Sequence, residues 1–358
     1  MLTAAAEILD EAARTKEIPG AVLRVDLNGQ TVHCSAHGVT RFDQPEPVTL
    51  DTWFDLASLT KILATTPAVM WLAQNGAMSL ADPLGRYLPE LRAPLSQATL
   101  RAFLSHTSGA AAWRPYYLQV EAGLLGTPAA KDAIRKMHLA EAAEYGAGTE
   151  ERYSDIGFAL LGFAVEAATG ETLDQFVSRH VLRKIAGDEI DYLQIRPRRN
   201  VRLAATENCP WRGRVLVGEV HDENTWTAGG CLGQAGLFGT AAGVAALMEE
   251  FRLANENRGR VFQLEIFRRF MEKNSTSPDA TRRLGFDSPS REQSSTGRFM
   301  GPSTFGHLGF TGVSAWCDPD RALTIVLLTN RVHPTRENQA HKRLRPLVHD
   351  AVITELEA

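Results

Sequence analysis

Ser58 and Lys61 stand three residues apart in the segment Ser58-Leu59-Thr60-Lys61. On a helix that spacing puts both side chains on one face, one turn apart. A serine hydroxyl becomes a useful nucleophile only when a neighbouring base takes its proton. A lysine can be that base when burial or a nearby positive charge lowers its pKa. A helix starting at Ser58 adds unpaired backbone N–H groups and the positive end of its dipole. The N–H of Ser58 itself can then form half of an oxyanion hole. The chemistry this allows is attack on an ester or amide carbonyl. An N-cap serine followed by a surface lysine has the same spelling, so the pair needs companions.

Two companions are present. Tyr153-Ser154-Asp155 comes just before an apolar helical stretch. A phenol both donates and accepts, so a Tyr153 aimed at Ser58 can relay a proton. The plainer alternative makes Tyr153 a core residue and Asp155 a helix N-cap. His307-Leu308-Gly309 leads into an expected strand over residues 310–317. A strand edge beside the nucleophile can supply the second oxyanion donor, here the N–H of Phe310, and Gly309 permits close approach. His307 can carry or relay charge near neutral pH. His221-Asp222-Glu223-Asn224 invites a metal reading but is read as a loop ordering the site rim. Gly233-Gln234-Ala235-Gly236 is read as a tight backbone turn, because no Lys-Ser/Thr follows to make a phosphate cradle.

The elements that must hold these residues follow from pattern. Residues 1–18 read as an amphipathic acidic helix. Alternation around Asn28-Gly29 predicts a hairpin. The helix carrying Ser58 ends at Asn75-Gly76, with a kink expected at Pro67. Helices are expected over 99–104, 129–144 and 156–169, the last closed by Gly170, and another ends near Leu253. Residues 275–304 are polar and read as a long surface excursion, and Arg196-Pro197-Arg198-Arg199 as a solvated loop. Strands 310–317 and 322–329 and a helix over 336–356 close the chain. The fold class is therefore α/β (α+β): an antiparallel sheet formed by both termini and flanked by helices. Its domain spans 1–80 and 205–358, with an all-helical domain, 81–204, inserted.

The whole chain sets limits. It has 358 residues, a formal net charge of −4, 44% hydrophobic and 22% charged residues. That balance predicts a globular protein with no nucleic-acid partner and no membrane partner. The first 18 residues lack the features of a signal peptide, so a cytoplasmic location is expected. Cys34, Cys209, Cys231 and Cys317 form no CxxC pair and are expected to be reduced thiols. No metal and no cofactor is expected.

The order SLTK, YSD, HLG resembles the penicillin-recognising serine hydrolases, nearest their class C β-lactamase-like branch of esterases and D-peptidases. MSLADPLGRYLPEL, TLRAFLSHTSG, RYSDIGFALLGFAVEAATG and GHLGFTGVSAWCDPDRALTIVLLTNRVHP are similar to stretches of that family, so the likeness covers nearly all of the chain from Gly20. It implies a nucleophile at Ser58, a base or proton partner at Lys61, and a second acid/base at Tyr153. It also implies an oxyanion hole at Ser58 and Phe310, and His307 where many members carry lysine. Trp113 and Arg114, after the HTSG segment, become candidates for the pocket. Arg336 and Asn338 lie where relatives bind substrate carboxylates, unless they are helix-start surface residues. Two departures stand out. Asp155 replaces the family's asparagine, and either pairs with Lys61 and raises its pKa or meets a positive substrate group. His307 removes a permanent positive charge. Both favour an ester, amide or cell-wall-derived peptide as substrate over a β-lactam. The alternatives are a true β-lactamase and a sensor that acylates without turnover.

Overall fold

The computed structural model describes residues 2–273 and 280–358. Helix α1 (Thr3–Arg14) leads into strands β1 (Gly20–Leu27) and β2 (Gln30–Gly38). Strand β3 (Phe54–Asp55) runs into the turn carrying Ser58, and a π-helical turn, Lys61–Thr65, continues as helix α2 (Thr66–Gln74). Helices α3 (Leu100–Leu104), α4 (Pro128–Leu139), α5 (Asp155–Thr169), α6 (Leu173–Val177) and α7 (Arg183–Ile185) follow, then strand β4 (Ile190–Asp191). A small ribbon, β5 (Asn208–Cys209) and β6 (Arg214–Val215), precedes helix α8 (Glu223–Thr227), strand β7 (Phe238–Gly239) and helices α9 (Ala241–Asn255) and α10 (Leu264–Met271). Strands β8 (Phe305–Leu308), β9 (Ser314–Asp318) and β10 (Leu323–Thr329) lead to helix α11 (His341–Leu356).

The main sheet is antiparallel in the order β2-β1-β10-β9-β8. The first and last strands are neighbours, with Ala21 opposite Thr329 and Leu27 opposite Leu323. Side chains alternate across it. Ala21, Leu23, Val25, Ile325 and Leu327 face a core shared with Leu9 of α1 and Val348 of α11. Val22, Val326 and Leu328 face the larger core, which includes Val244 and Phe251 of α9. Asn28 and Gly29 turn the hairpin with φ of 51° and 74°, the left-handed pair that suits a two-residue connection.

Several expectations are corrected. Segment 81–204 is not all-helical: β4 pairs with β7 beside β3 in a second small sheet, and Pro83 bridges Thr99. Helix α4 stops at Leu139 and α11 starts at His341. The strand expected over 310–317 begins only at Ser314; Phe310 lies in the turn between β8 and β9, where Gly312 has φ 108°. Of the polar stretch, 275–279 lie outside the described residues. Residues 280–304 fold onto the body, with Leu284 and Phe286 buried in the core and the Gly285 N–H donating to Leu104 O at 2.8 Å. Arg196 and Arg198 bind Asp191, a buried carboxylate, so their loop is an ion-pair network.

Candidate active site

The turn before Ser58 is held from both sides. The Asp55 carboxylate accepts the N–H of Ala57 at 2.8 Å and of His221 at 2.7 Å. Ala57 sits at φ 44°, a conformation that alanine adopts only when its surroundings impose it. Ser58 occupies the turn itself, and the helix begins one residue later than the sequence suggested. The π-helical turn Lys61–Thr65 ends two residues before Pro67, so the departure from α geometry begins at Lys61 and not at the proline.

Lys61 is completely buried beneath Ser58. Its ammonium donates to Asp155 Oδ1 at 2.6 Å, Ser58 Oγ at 3.1 Å and Gln234 O at 3.1 Å. Those three acceptors use all three N–H bonds. Burial alone would lower the pKa of Lys61, but Asp155 and Tyr153 outweigh it and hold the group above an ordinary lysine. The lowered pKa expected of a free base is therefore absent from the resting site. Of the two fates open to Asp155, pairing with Lys61 is the one observed. The Gly233–Gly236 turn serves this contact, since Gln234 O holds Lys61 and Gly233 O accepts Thr65 Oγ1 at 2.6 Å.

Tyr153 OH donates to Ser58 Oγ at 2.8 Å. Burial pushes the phenol's pKa up, against the opposing pull of Lys61. The ring stacks on His106 at 4.7 Å, and His106 Nδ1 accepts the N–H of Ser154 at 3.0 Å. Ser154, not Asp155, caps α5: its hydroxyl accepts from Gly157 N at 2.9 Å and donates to Ala111 O at 2.6 Å. His106 is thus a positioning residue, and the HTSG segment was the signal for it.

Opposite Ser58 lies the turn between β8 and β9. A side chain at Gly309 would collide with Val313 and press on Leu56 O, so only glycine lets this turn lie against the Ser58 turn. Thr311 Oγ1 ties the two together by donating to Asp55 O at 2.7 Å. Among the described residues, neither the N–H of Ser58 nor that of Phe310 has a hydrogen-bond partner. His307 is buried and its Nδ1–H donates to Leu308 O at 2.6 Å, which leaves Nε2 as an unpartnered acceptor. Burial, Arg282 and Lys61 push its pKa well below the usual imidazole range, which favours the neutral ring and, of the two expected roles, relaying a proton over carrying charge. The cation on this side is Arg282, 5.3 Å from the Tyr153 ring centre and paired with Asp287 at 3.0 Å. It sits in the polar stretch, where no sequence pattern singled it out.

A cavity of about 690 Å³ opens above these groups. Ser58, Tyr153, Asp155, His307, Gly309 and Phe310 line it, as do Trp113 and Arg336. Arg114 and Asn338 do not. Arg114 is drawn to Glu144 at 2.6 Å and Glu141 at 3.4 Å. The Asn338 amide donates to Glu17 O at 2.9 Å and accepts from Ala340 N at 2.9 Å. Arg336 is neutralised by Glu207 and Glu223, both at 2.6 Å. The 221–224 loop orders this rim: His221 binds Glu207, Asp222 caps α8, Glu223 holds Arg336, and Asn224 donates to Arg114 O.

Residues 5–350 match the family model described as Beta-lactamase. A putative D-alanyl-D-alanine carboxypeptidase of Escherichia coli (strain K12) is 31% identical over 346 residues, covering 88% of this chain and 79% of that one. An N-acetylmuramyl-L-alanine amidase of Bacillus subtilis (strain 168) is 29% identical over 347 residues, with 88% and 78% covered. Among solved structures, EstCE1, a hydrolase with promiscuous acyltransferase activity, shares the fold with a TM-score of 0.77 at 20% identity, covering 98% and 97% of the two chains. The match runs through both the sheet and the helices that carry the site, and the chain belongs to the beta-lactamase family of serine hydrolases.

Proposed function

We propose that the protein hydrolyses an ester or amide bond through an acyl-enzyme on Ser58. The observation that carries this reading is the contact of Ser58 Oγ with Lys61 Nζ at 3.1 Å and Tyr153 OH at 2.8 Å, at the base of the cavity. Ser58 Oγ attacks the carbonyl carbon while its proton passes to the Lys61–Tyr153 pair. The N–H groups of Ser58 and Phe310 receive the oxyanion. Collapse expels the alcohol or amine, which takes a proton from the same pair. Water then attacks the acyl carbon, gives a proton to the pair, and Ser58 leaves with one. The unpartnered Nε2 of neutral His307 is free to accept a hydrogen bond from substrate or that water.

Both members of the pair titrate above their usual ranges, so the resting site holds one proton too many to react. The proton lost belongs to the pair, not to one residue. Activity should rise towards alkaline pH. The names of the relatives, a carboxypeptidase and an amidase of wall peptides, support a cell-wall-derived peptide as substrate, with small esters as surrogates. A neutral His307 supports these over a β-lactam.

The test is intact-protein mass spectrometry with p-nitrophenyl acetate and with a penicillin, while turnover is followed by absorbance. An acyl adduct with ester turnover, both lost in Ser58→Ala at unchanged melting temperature, is the expected result. An adduct without turnover would favour the sensor reading. Turnover retained in purified Ser58→Ala would remove the assignment.

A further inference from the structure

We propose that the end of the cavity walled by α11 is an anion subsite. Arg331, Lys342 and Arg345 would there take a doubly charged anionic group of the substrate, a phosphate or a pair of carboxylates. What that group is attached to rests on the acyl-hydrolase reading; its binding does not.

Arg345 carries the argument. It lies on the second turn of α11, is 3% exposed and lines the cavity, yet its Nε and Nη2 have no hydrogen-bond partner. A buried guanidinium without a counter-charge is costly to fold around, and the usual reason to keep one is a ligand that completes it. Arg331 stands beside it at 2% exposure and donates only to backbone carbonyls: Phe310 O at 3.0 Å, Arg336 O at 2.8 Å and Asn338 O at 2.6 Å. Lys342 lines the same end and makes no ion pair among the described residues. The nearby carboxylates of Glu207 and Glu223 are consumed by Arg336. Three cations therefore face one end of one cavity without a carboxylate bound to any of them.

The charge of the ligand follows. Burial pushes both guanidinia down to about 10, Arg345 further by Arg331, and Arg331 further by Arg336, against a smaller opposing pull from Glu207 and Glu337, neither of which touches it. His341, held neutral by burial and by Arg345, Arg331 and Lys342, adds no charge of its own. A single negative charge would leave one of two buried guanidinia uncompensated, whereas a dianion satisfies both. The start of α11, a helix of 16 residues, adds its positive dipole end on the same side. Arg331 also packs 4.7 Å from the Phe310 ring centre, so the subsite begins just behind the second oxyanion donor. It lies within reach of one substrate molecule bound to Ser58. Arg336 and Asn338, by contrast, are occupied by internal partners.

The test is thermal melting and isothermal titration of the intact chain with inorganic phosphate and with succinate. Acetate at matched ionic strength is the control, and wild type is compared with Arg345→Met. Phosphate or succinate, but not acetate, should raise the melting temperature of wild type. Apparent affinity should fall at least about tenfold in the variant, as for loss of a charged hydrogen-bonding partner. The ligand-free variant should melt no lower than wild type, because an unpaired buried charge has gone. A larger response to phosphate identifies a phosphorylated substrate, and a larger response to succinate a dicarboxylate. Equal responses in the two proteins, no response beyond acetate, or a variant that melts well below wild type would overturn the proposal. None of these readouts needs turnover. Anion binding in a protein that forms no acyl adduct would leave the subsite standing and remove the hydrolase reading.

Discussion

The two ends of the cavity treat buried positive charge in opposite ways. Beneath Ser58, Lys61 has no exposure, and each of its N–H bonds finds an acceptor within 3.1 Å. On α11, Arg345 is almost as buried, and two of its nitrogens find none. The first end is assembled before substrate arrives, so binding energy need not be spent ordering it. The second is left incomplete, which costs stability in the free protein and returns it as affinity when the missing partner binds. A single substrate spanning both ends would be oriented by its charge and cut at its carbonyl.

The sharpest way to break this contrast is at the assembled end. Tyr153→Phe removes one hydroxyl from a site where it contacts Ser58 Oγ, and ester turnover should fall about 100-fold or more, the usual scale for an acid/base group. Stopped-flow kinetics separating acylation from deacylation will show which step suffers. Near-normal turnover would mean that Lys61 handles the proton unaided.

A smaller effect is expected from Asp155→Asn. Asp155 raises the Lys61 pKa, so its neutralisation must lower the pKa of the Lys61–Tyr153 pair. The acidic limb of kcat/KM against pH should move down by about one unit for an uncharged ester. An unmoved limb would show that some other group controls the rate.

The smallest effect belongs to the unfinished end. His349, one turn beyond Arg345, is fully buried with no well-formed hydrogen bond to either ring nitrogen, and burial and then Arg345 push its pKa down to about 3 against a weaker opposing pull from the Thr296 backbone and Asp350. The unfolded chain binds a proton there below about 6.5 while the folded chain refuses it until about 3, so this group withdraws stability as pH falls across that window. His349→Leu should flatten the decline of melting temperature over the same range and add about 1 kcal/mol at acidic pH, the scale of an unsatisfied buried group. A steeper decline would mean the imidazole is a structural donor.

Much of the assembled end was legible in the sequence, and little of the unfinished one. Ser58, Lys61, Tyr153 and His307 sit in short local motifs whose order along the chain is itself a signal. The hairpin at Asn28-Gly29 and the Gly170 helix stop were readable because turn chemistry is local. Phe310 reads as strand because apolar residues continue past it, while Gly309 and Gly312 shape a turn packed against Val313 and Leu56 at one glycine and Thr329 and Arg331 at the other. Arg282 and Arg345 gave no signal at all. An arginine that is paired and one that is not are spelled alike, and the difference lies in which distant carboxylates fail to arrive. His307 looked like a charge carrier because its neutrality depends on burial beside Arg282 and Lys61.

The pairing of β1 with β10 also fixes an order of events during synthesis. A ribosome delivers Ser58 and Lys61 well before Phe310 and α11, and the sheet cannot close until β10 is free to lie beside β1. A nascent chain therefore carries Ser58 and Lys61 for a long stretch of synthesis without Phe310 or the arginines of the α11 wall. Any chemistry that needs both the Ser58 turn and the turn between β8 and β9 waits until the sheet has closed.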